Sequence, residues 1–173
     1  SNTLFAQDGP VADPGGASDF FWVWGQFIDH DIDLTRGATT PETAPVPVPA
    51  GDPWFDPTGS GTQTIGFTRS GYDHATGADT PREQMNDITP YLDASVVYGS
   101  DAERAAALRA DGGYLKVSEG NLLPWNDGGQ ENAGEQPGQP GYLAGDVRAN
   151  ENAGLISMQT LFVREHNRLV DEL

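Results

Sequence analysis

A histidine set inside an aromatic run is the first residue of this sequence whose surroundings suggest chemistry. The run is Phe20-Phe21-Trp22-Val23-Trp24-Gly25-Gln26-Phe27-Ile28-Asp29-His30-Asp31. Read as a helix, it lines Trp22, Gln26, Asp29 with His30, and Asp33 along one side. The other side is apolar and suited to a core. Burying an amide, a carboxylate and an imidazole on such a helix costs roughly 1–3 kcal/mol for each polar group left without a partner. A cofactor, a metal or a hydrogen-bond network must therefore satisfy them. His30 can serve as a general base, since an imidazole titrates near neutrality. It can equally be a structural histidine at a helix end, bonded to neighbouring carboxylates.

The acids around His30 raise a second chemistry. Asp29-x-Asp31-x-Asp33-x-Thr35 has the alternation of a calcium loop. It is not an EF-hand, because Leu34 stands where that loop needs glycine and Thr40 where it needs a bidentate glutamate.

The elements that must carry these residues follow from periodicity and punctuation. Phe20, Trp24, Phe27, Ile28 and Ile32 recur at helical spacing, which predicts a helix from Asp19 to about Leu34. Residues 1–18 are polar, with a turn signal at Asp13-Pro14-Gly15-Gly16. Residues 36–80, with Pro45, Pro47 and Pro49, predict an extended surface loop with short strands around Ile65 to Phe67. Thr80-Pro81-Arg82-Glu83 has capping-box spacing with proline at the first helical position and predicts a short helix. Ser100-Asp101-Ala102-Glu103 predicts another, stopped by Gly112-Gly113. Residues 118–146 are loop-like. Leu155, Met158, Phe162, His166, Leu169 and Leu173 predict a long amphipathic helix to the last residue. The expected fold is mainly α with long ordered loops and no internal repeat. A helix with no glycine or proline after it suggests that the sequence is a fragment. His74 is expected in a solvated loop, and His166 as a packed histidine bonded within the last helix.

Composition narrows the function further. The 173 residues carry 26 acidic and 9 basic side chains, a net charge of -17, and no cysteine. Nucleic-acid binding, which needs clustered Lys and Arg, is disfavoured, as is an anionic membrane surface. Thiolate metal sites, disulfides and cysteine nucleophiles are excluded. No apolar run approaches the roughly 20 residues that span a bilayer, and residues from Ser1 onward lack the basic-then-apolar pattern of a signal peptide. The 22 glycines and 13 prolines agree with a loop-rich chain.

Three collinear stretches carry a family resemblance. Trp24-Gly25-Gln26-Phe27-Ile28-Asp29-His30-Asp31 resembles the distal-helix signature of the animal-type haem peroxidases, the peroxidase–cyclooxygenase superfamily. Thr89-Pro90-Tyr91-Leu92-Asp93-Ala94-Ser95-Val96-Val97-Tyr98-Gly99-Ser100 resembles the family's calcium loop and following turn. Ala144-Gly145-Asp146-Val147-Arg148, continuing through Arg164-Glu165-His166-Asn167-Arg168-Leu169, resembles the distal-arginine segment and its helix. The resemblance spans Phe20 to Leu173.

The resemblance implies a partial peroxidase domain over residues 1–173, with His30 as the distal general base. It implies Arg148 as the distal arginine, stabilising negative charge as the O–O bond breaks, and Gln26 as an amide orienting peroxide, water or halide. Asp29 and Glu151 correspond to the carboxylates that esterify haem b in many members. Asn152 stands where some members carry a sulfonium-forming methionine, so that link is excluded. Asp31, Thr89, Tyr91 through its carbonyl, Asp93 and Ser95 correspond to a Ca²⁺ site, an all-oxygen set suited to a hard cation. The implied reaction reduces hydrogen peroxide and oxidises halide or small aromatic donors, in a secreted or extracellular protein. The proximal histidine has no counterpart in this sequence and is expected from a second chain or a further C-terminal segment. The contrasting expectation is a calcium-stabilised, peroxidase-like binding or structural module without turnover of its own.

Overall fold

The computed structural model describes residues 7, 9–133 and 140–173. The polar lead-in expected over 1–18 and the loop expected over 118–146 lie partly outside them. The chain forms two compact units, one running to Ile32 and resuming at Thr89, the other Asp33–Ile88.

The first unit is helical. Helix α1 is Phe20–Ile32, α2 is Ser95–Tyr98, α3 is Ala102–Leu108 and α4 is Ala153–Glu172. The buried stripe of α1 is Val23, Phe27, His30 and Asp31, displaced from the expected apolar set: Phe20 and Trp24 are exposed. Two polar residues therefore occupy the inner face. Helix α4 crosses α1 where Gly154 meets Val23, leaving no room for a Cβ (2.8 Å to Val23 Cγ2). Phe27 and Phe162 stack at the crossing with centroids 4.9 Å apart. Val96, Leu108, Leu115, Leu123, Leu143 and Leu155 complete the core, whose burial stabilises each large side chain by about 1.5–3 kcal/mol.

Helix α3 forms where the Ser100-Asp101-Ala102-Glu103 signal placed it, but the cap is Asp101 and not Ser100: the Asp101 Oδ1 accepts the Arg104 N–H at 2.8 Å. It ends earlier than expected. The Leu108 carbonyl accepts from Lys116 N–H at 2.8 Å, and Arg109 pairs with Leu115. Gly112 and Gly113, both at positive φ, form the reversal of that small hairpin and do not cap the helix.

The second unit keeps one expectation and corrects another. Residues 36–80 are largely exposed and carry a short antiparallel pair, β1 (Val46–Pro47) and β2 (Thr64–Ile65), near the strands expected around Ile65 to Phe67, and they build much of a compact unit. Further bridges join Thr43 to Thr68 and Gly37 to Ser70. The buried Asp56 carboxylate gathers the turn, accepting from the Gly51, Ser60 and Gly61 N–H groups and the Ser60 hydroxyl. The helix expected at Thr80 is absent. Glu83 spends its backbone on other partners, with its N–H donating to Thr76 Oγ1 at 3.1 Å and its carbonyl accepting from Asp73 N–H at 2.8 Å. Arg82 pairs with Glu42 at 2.6 Å and lies over the Tyr72 ring. Side-chain and cross-loop bonds thus outcompete a capping box whose helix would have few apolar residues to bury.

Candidate functional site

His30 sits on the last turn of α1 and is buried, 4 % exposed. Its Nδ1 is enclosed without a hydrogen-bond partner. The nearest anion is Asp146, whose Oδ1 lies 3.5 Å away, and on the other edge of the ring Nε2 lies 3.8 Å from Glu151 Oε2. Burial lowers the imidazole pKa below its ordinary value, and the Arg148 charge lowers it further. Asp146, Glu151 and Asp29 pull the other way without prevailing. His30 is therefore held toward its neutral form, the form a base requires.

Arg148 and Glu151 lie on the turn that precedes α4, closed by the Glu151 N–H donating to the Arg148 carbonyl at 2.9 Å. The guanidinium forks onto Asp146: Nε donates to Oδ1 at 3.0 Å and Nη2 to Oδ2 at 2.9 Å. Nη2 also donates to the His30 carbonyl at 3.3 Å. Gln26, one turn before His30, donates through Nε2 to Glu151 Oε2 at 2.8 Å. Its Oε1 accepts from Asn152 Nδ2 at 2.9 Å. Asn152 also caps α4, accepting the Leu155 N–H at 2.9 Å. Gln26, His30, Arg148 and Glu151 are thus brought together, with Asp29 exposed on the same helix end.

Asp31 turns to a different place. Its carboxylate accepts the backbone N–H groups of Ala94 at 3.1 Å and Val96 at 3.0 Å, with the Ser95 hydroxyl 3.4 Å away. Those bonds hold Ala94 at φ 64, a left-handed conformation that a non-glycine residue adopts only under constraint. Asp93 accepts the Ser95 N–H at 3.0 Å, which holds its carboxyl below the usual range, with the Ser95 and Thr89 hydroxyls adding to the effect. The Tyr91 N–H donates to Thr89 Oγ1 at 3.3 Å, and the Tyr91 carbonyl accepts from Asp93 N–H at 3.0 Å. All five expected calcium-loop residues are linked through these bonds. No cluster of three or more Asp, Glu or His suited to a metal occurs among the described residues.

Three residues central to this arrangement have roles that sequence reasoning did not assign. Asp146 is one. Its signal is an acid two positions before Arg148, which i,i+2 spacing on a helix would have discounted. Asn152 is the second. Arg104 is the third, a buried arginine whose Nε donates to the Ala144 carbonyl at 2.7 Å and Nη2 to the Asp146 carbonyl at 3.2 Å. Gly145 between them packs directly on the α2 backbone at Val96 and Val97, where any Cβ would collide.

The remaining histidines have partners of their own. His166 was expected to bond within its helix, but it bridges to other segments. Nε2 donates to the Gly113 carbonyl at 2.9 Å, so Nδ1 accepts the Tyr98 hydroxyl at 3.1 Å. His74 is exposed and packs edge-on against Tyr72. No helix of the described residues is long and apolar enough to cross a membrane.

The animal haem peroxidase family profile matches residues 1–173. The chain is 34 % identical to peroxinectin A of Dictyostelium discoideum over 98 % of its own length and 34 % of that protein. It is 36 % identical to the mouse peroxidasin homolog over 87 % of its length and 12 % of that protein. Its fold superposes on peroxidase A from Dictyostelium discoideum with a TM-score of 0.81 at 30 % identity, covering 99 % of this chain and 36 % of the other. The chain thus spans about a third or less of the relatives it matches. With the family profile spanning the whole chain, this chain belongs to the animal haem peroxidase family.

Proposed function

We propose that this chain forms the distal wall of a haem peroxidase site that reduces hydrogen peroxide at the expense of halide or small aromatic donors. One observation carries the proposal: His30 is buried, its pKa is lowered, and it lies between Asp146 and Glu151 beside the Arg148 guanidinium.

The residues fit one face of a haem b. An imidazole nitrogen, Nε2, and the exposed carboxylates Asp29 and Glu151 lie at the end of α1 and the turn before α4. When bound, haem supplies the iron that holds peroxide and takes up its oxidising equivalents. His30 Nε2 accepts the peroxide proton and returns it to the departing oxygen. Arg148 supplies fixed positive charge where negative charge develops. Gln26, bonded to Glu151 and Asn152, holds the Glu151 carboxylate in place and offers its amide to the same space. Asp29 and Glu151 are the candidates for ester links to haem. Asp31, Thr89, Tyr91, Asp93 and Ser95 are proposed to bind Ca²⁺, which would stiffen the loop anchored to the residue next to His30.

The proximal iron ligand is proposed to come from polypeptide outside these 173 residues, whether a further segment or a second chain. Both ring nitrogens of His166 are engaged, and His74 is an exposed loop residue packed edge-on against Tyr72. A secreted or extracellular location belongs to the same proposal and rests on family membership.

The test uses the full-length protein that carries this chain, loaded with haem. His30→Ala is expected to slow the reaction with hydrogen peroxide by about 10²–10⁴-fold, measured by stopped-flow absorbance. An unchanged rate removes His30 from the mechanism. A Soret band that survives acid–acetone extraction, and is lost with Asp29→Ala plus Glu151→Ala, supports the ester links. No haem binding at all would favour the calcium-stabilised module without turnover.

A further inference from the structure

We propose that Asp146 is a positioning residue that fixes the tautomer of His30, keeping Nδ1 protonated and Nε2 open as the proton-accepting nitrogen. The inference rests on the reading of His30 as the base.

The geometry closes a ring of contacts. Asp31, next to His30, is pinned to α2 by the Ala94 and Val96 N–H groups. The α2 backbone seats Gly145, where no side chain fits. The following residue, Asp146, is thereby delivered back to His30, with its Oδ1 3.5 Å from Nδ1. Arg104, 3 % exposed, clamps the carbonyls on both sides of Gly145. Asp146 reaches the imidazole because of how the chain is folded around it.

The chemistry of the contact selects one tautomer. Nδ1 is buried and has no hydrogen-bond partner. Were it a bare lone pair, it would face a carboxylate oxygen across 3.5 Å, two acceptors opposed in a site with little water. Were it an N–H, it would place a donor 3.5 Å from a carboxylate oxygen, an attractive contact where the bare lone pair gives a repulsive one. With the proton on Nδ1, the Nε2 lone pair faces the side on which haem and peroxide are proposed to lie; the Glu151 carboxylate there is farther away, at 3.8 Å, and 40 % exposed, so water screens it as it cannot screen Asp146, which is 4 % exposed. Asp146 does not act alone. Its Oδ1 also accepts the Arg148 N–H at 2.8 Å and Nε at 3.0 Å, and its Oδ2 accepts Nη2. One carboxylate thus sets the orientation of both the base and the cation.

The test reads the tautomer directly. In the full-length protein, histidine side chains labelled with ¹⁵N are observed by long-range ¹H–¹⁵N correlation without haem, and the His30 signal is identified by its loss in His30→Gln. The expected pattern is Nδ1–H. A dominant Nε2–H pattern in the unsubstituted protein overturns the inference, whether or not any variant folds. In Asp146→Asn the preference is expected to shift toward Nε2–H or a mixture. The haem-loaded variant is expected to react with peroxide about 10–100-fold more slowly. An unchanged tautomer in that variant also overturns the inference. A failure of the peroxidase reading shows itself separately, as haem-loaded unsubstituted protein inert to peroxide, while the tautomer still decides the role of Asp146.

Discussion

Asp146 in the helical unit and Asp56 in the Asp33–Ile88 unit are both buried carboxylates, 4 % and 1 % exposed, and their partners differ in kind. Asp56 is saturated by neutral donors of its own turn, the N–H groups of Gly51, Ser60 and Gly61 and the Ser60 hydroxyl. Those bonds, led by Gly61, bring its pKa down to about 2. Asp146 takes the guanidinium of Arg148 and faces the imidazole of His30, which comes from a different helix. A carboxylate satisfied by fixed amides can only hold a turn together. One whose partners are a cation and a titratable ring is coupled to whatever those groups do. Asp31 stands between the two cases, accepting two backbone N–H groups and lying within reach of the Ser95 hydroxyl in a loop of further oxygens.

Removing the cation should give the largest effect. Arg148→Ala leaves Asp146 as a buried carboxylate without its counter-charge, and the helical unit is expected to lose about 3 kcal/mol in urea unfolding. A loss below about 0.5 kcal/mol would mean that Asp146 is as self-sufficient as Asp56, and the contrast would collapse. Next comes calcium. A cation held at about 100 times its Kd contributes about 2.7 kcal/mol, so a chelator should lower the thermal midpoint by several degrees. Asp31→Asn should abolish that response. A midpoint indifferent to chelator would class Asp31 with Asp56 as a carboxylate that only ties a loop.

The smallest effect is reserved for mild acid. The folded pKa of Asp56 is depressed from 3.8 to about 2, so its contribution is fully present above pH 4. It should fade as pH falls toward 2, because the unfolded chain binds the proton first. Limited proteolysis of the Asp33–Ile88 unit should therefore be constant from pH 7 to 4 and accelerate below. Asp56→Asn should remove that acid-induced increment. A profile identical to that of the unsubstituted protein would show that the turn does not depend on the carboxylate charge.

Much of the site could be read from the sequence because its residues sit in contiguous stretches. Gln26, Asp29, His30 and Asp31 share α1, and Arg148 and Glu151 share the turn before α4, so spacing along the chain already approximates spacing in the fold. Helix α4 could be read for the same reason, since its periodicity is long enough to dominate, but only Leu155 and Met158 of the expected stripe are buried; Val163 joins them, while Leu169 and Leu173 are exposed. The failures lie where distant segments compete for the backbone. At Thr80 a correct capping signal lost to bonds with Thr76 and Asp73. At Gly112-Gly113 a plausible helix stop proved to be the turn of a hairpin joining Arg109 to Leu115. His166 found its partners at Tyr98 and Gly113, outside its own helix.

The sequence alone determined which groups are available: an imidazole on an aromatic helix, a guanidinium before a long amphipathic helix, an oxygen-rich loop and a strong acidic surplus. These are properties of residue type and short-range spacing, and local sterics express them wherever the chain goes. The tertiary structure decided which acid serves which purpose. Asp31 and Asp146 are chemically identical, yet one is turned to the amides of α2 and the other to His30 and Arg148. What separates them is the seating of Gly145 on the α2 backbone. That contact exists only once segments far apart in sequence have packed, because it depends on the space left between two backbones.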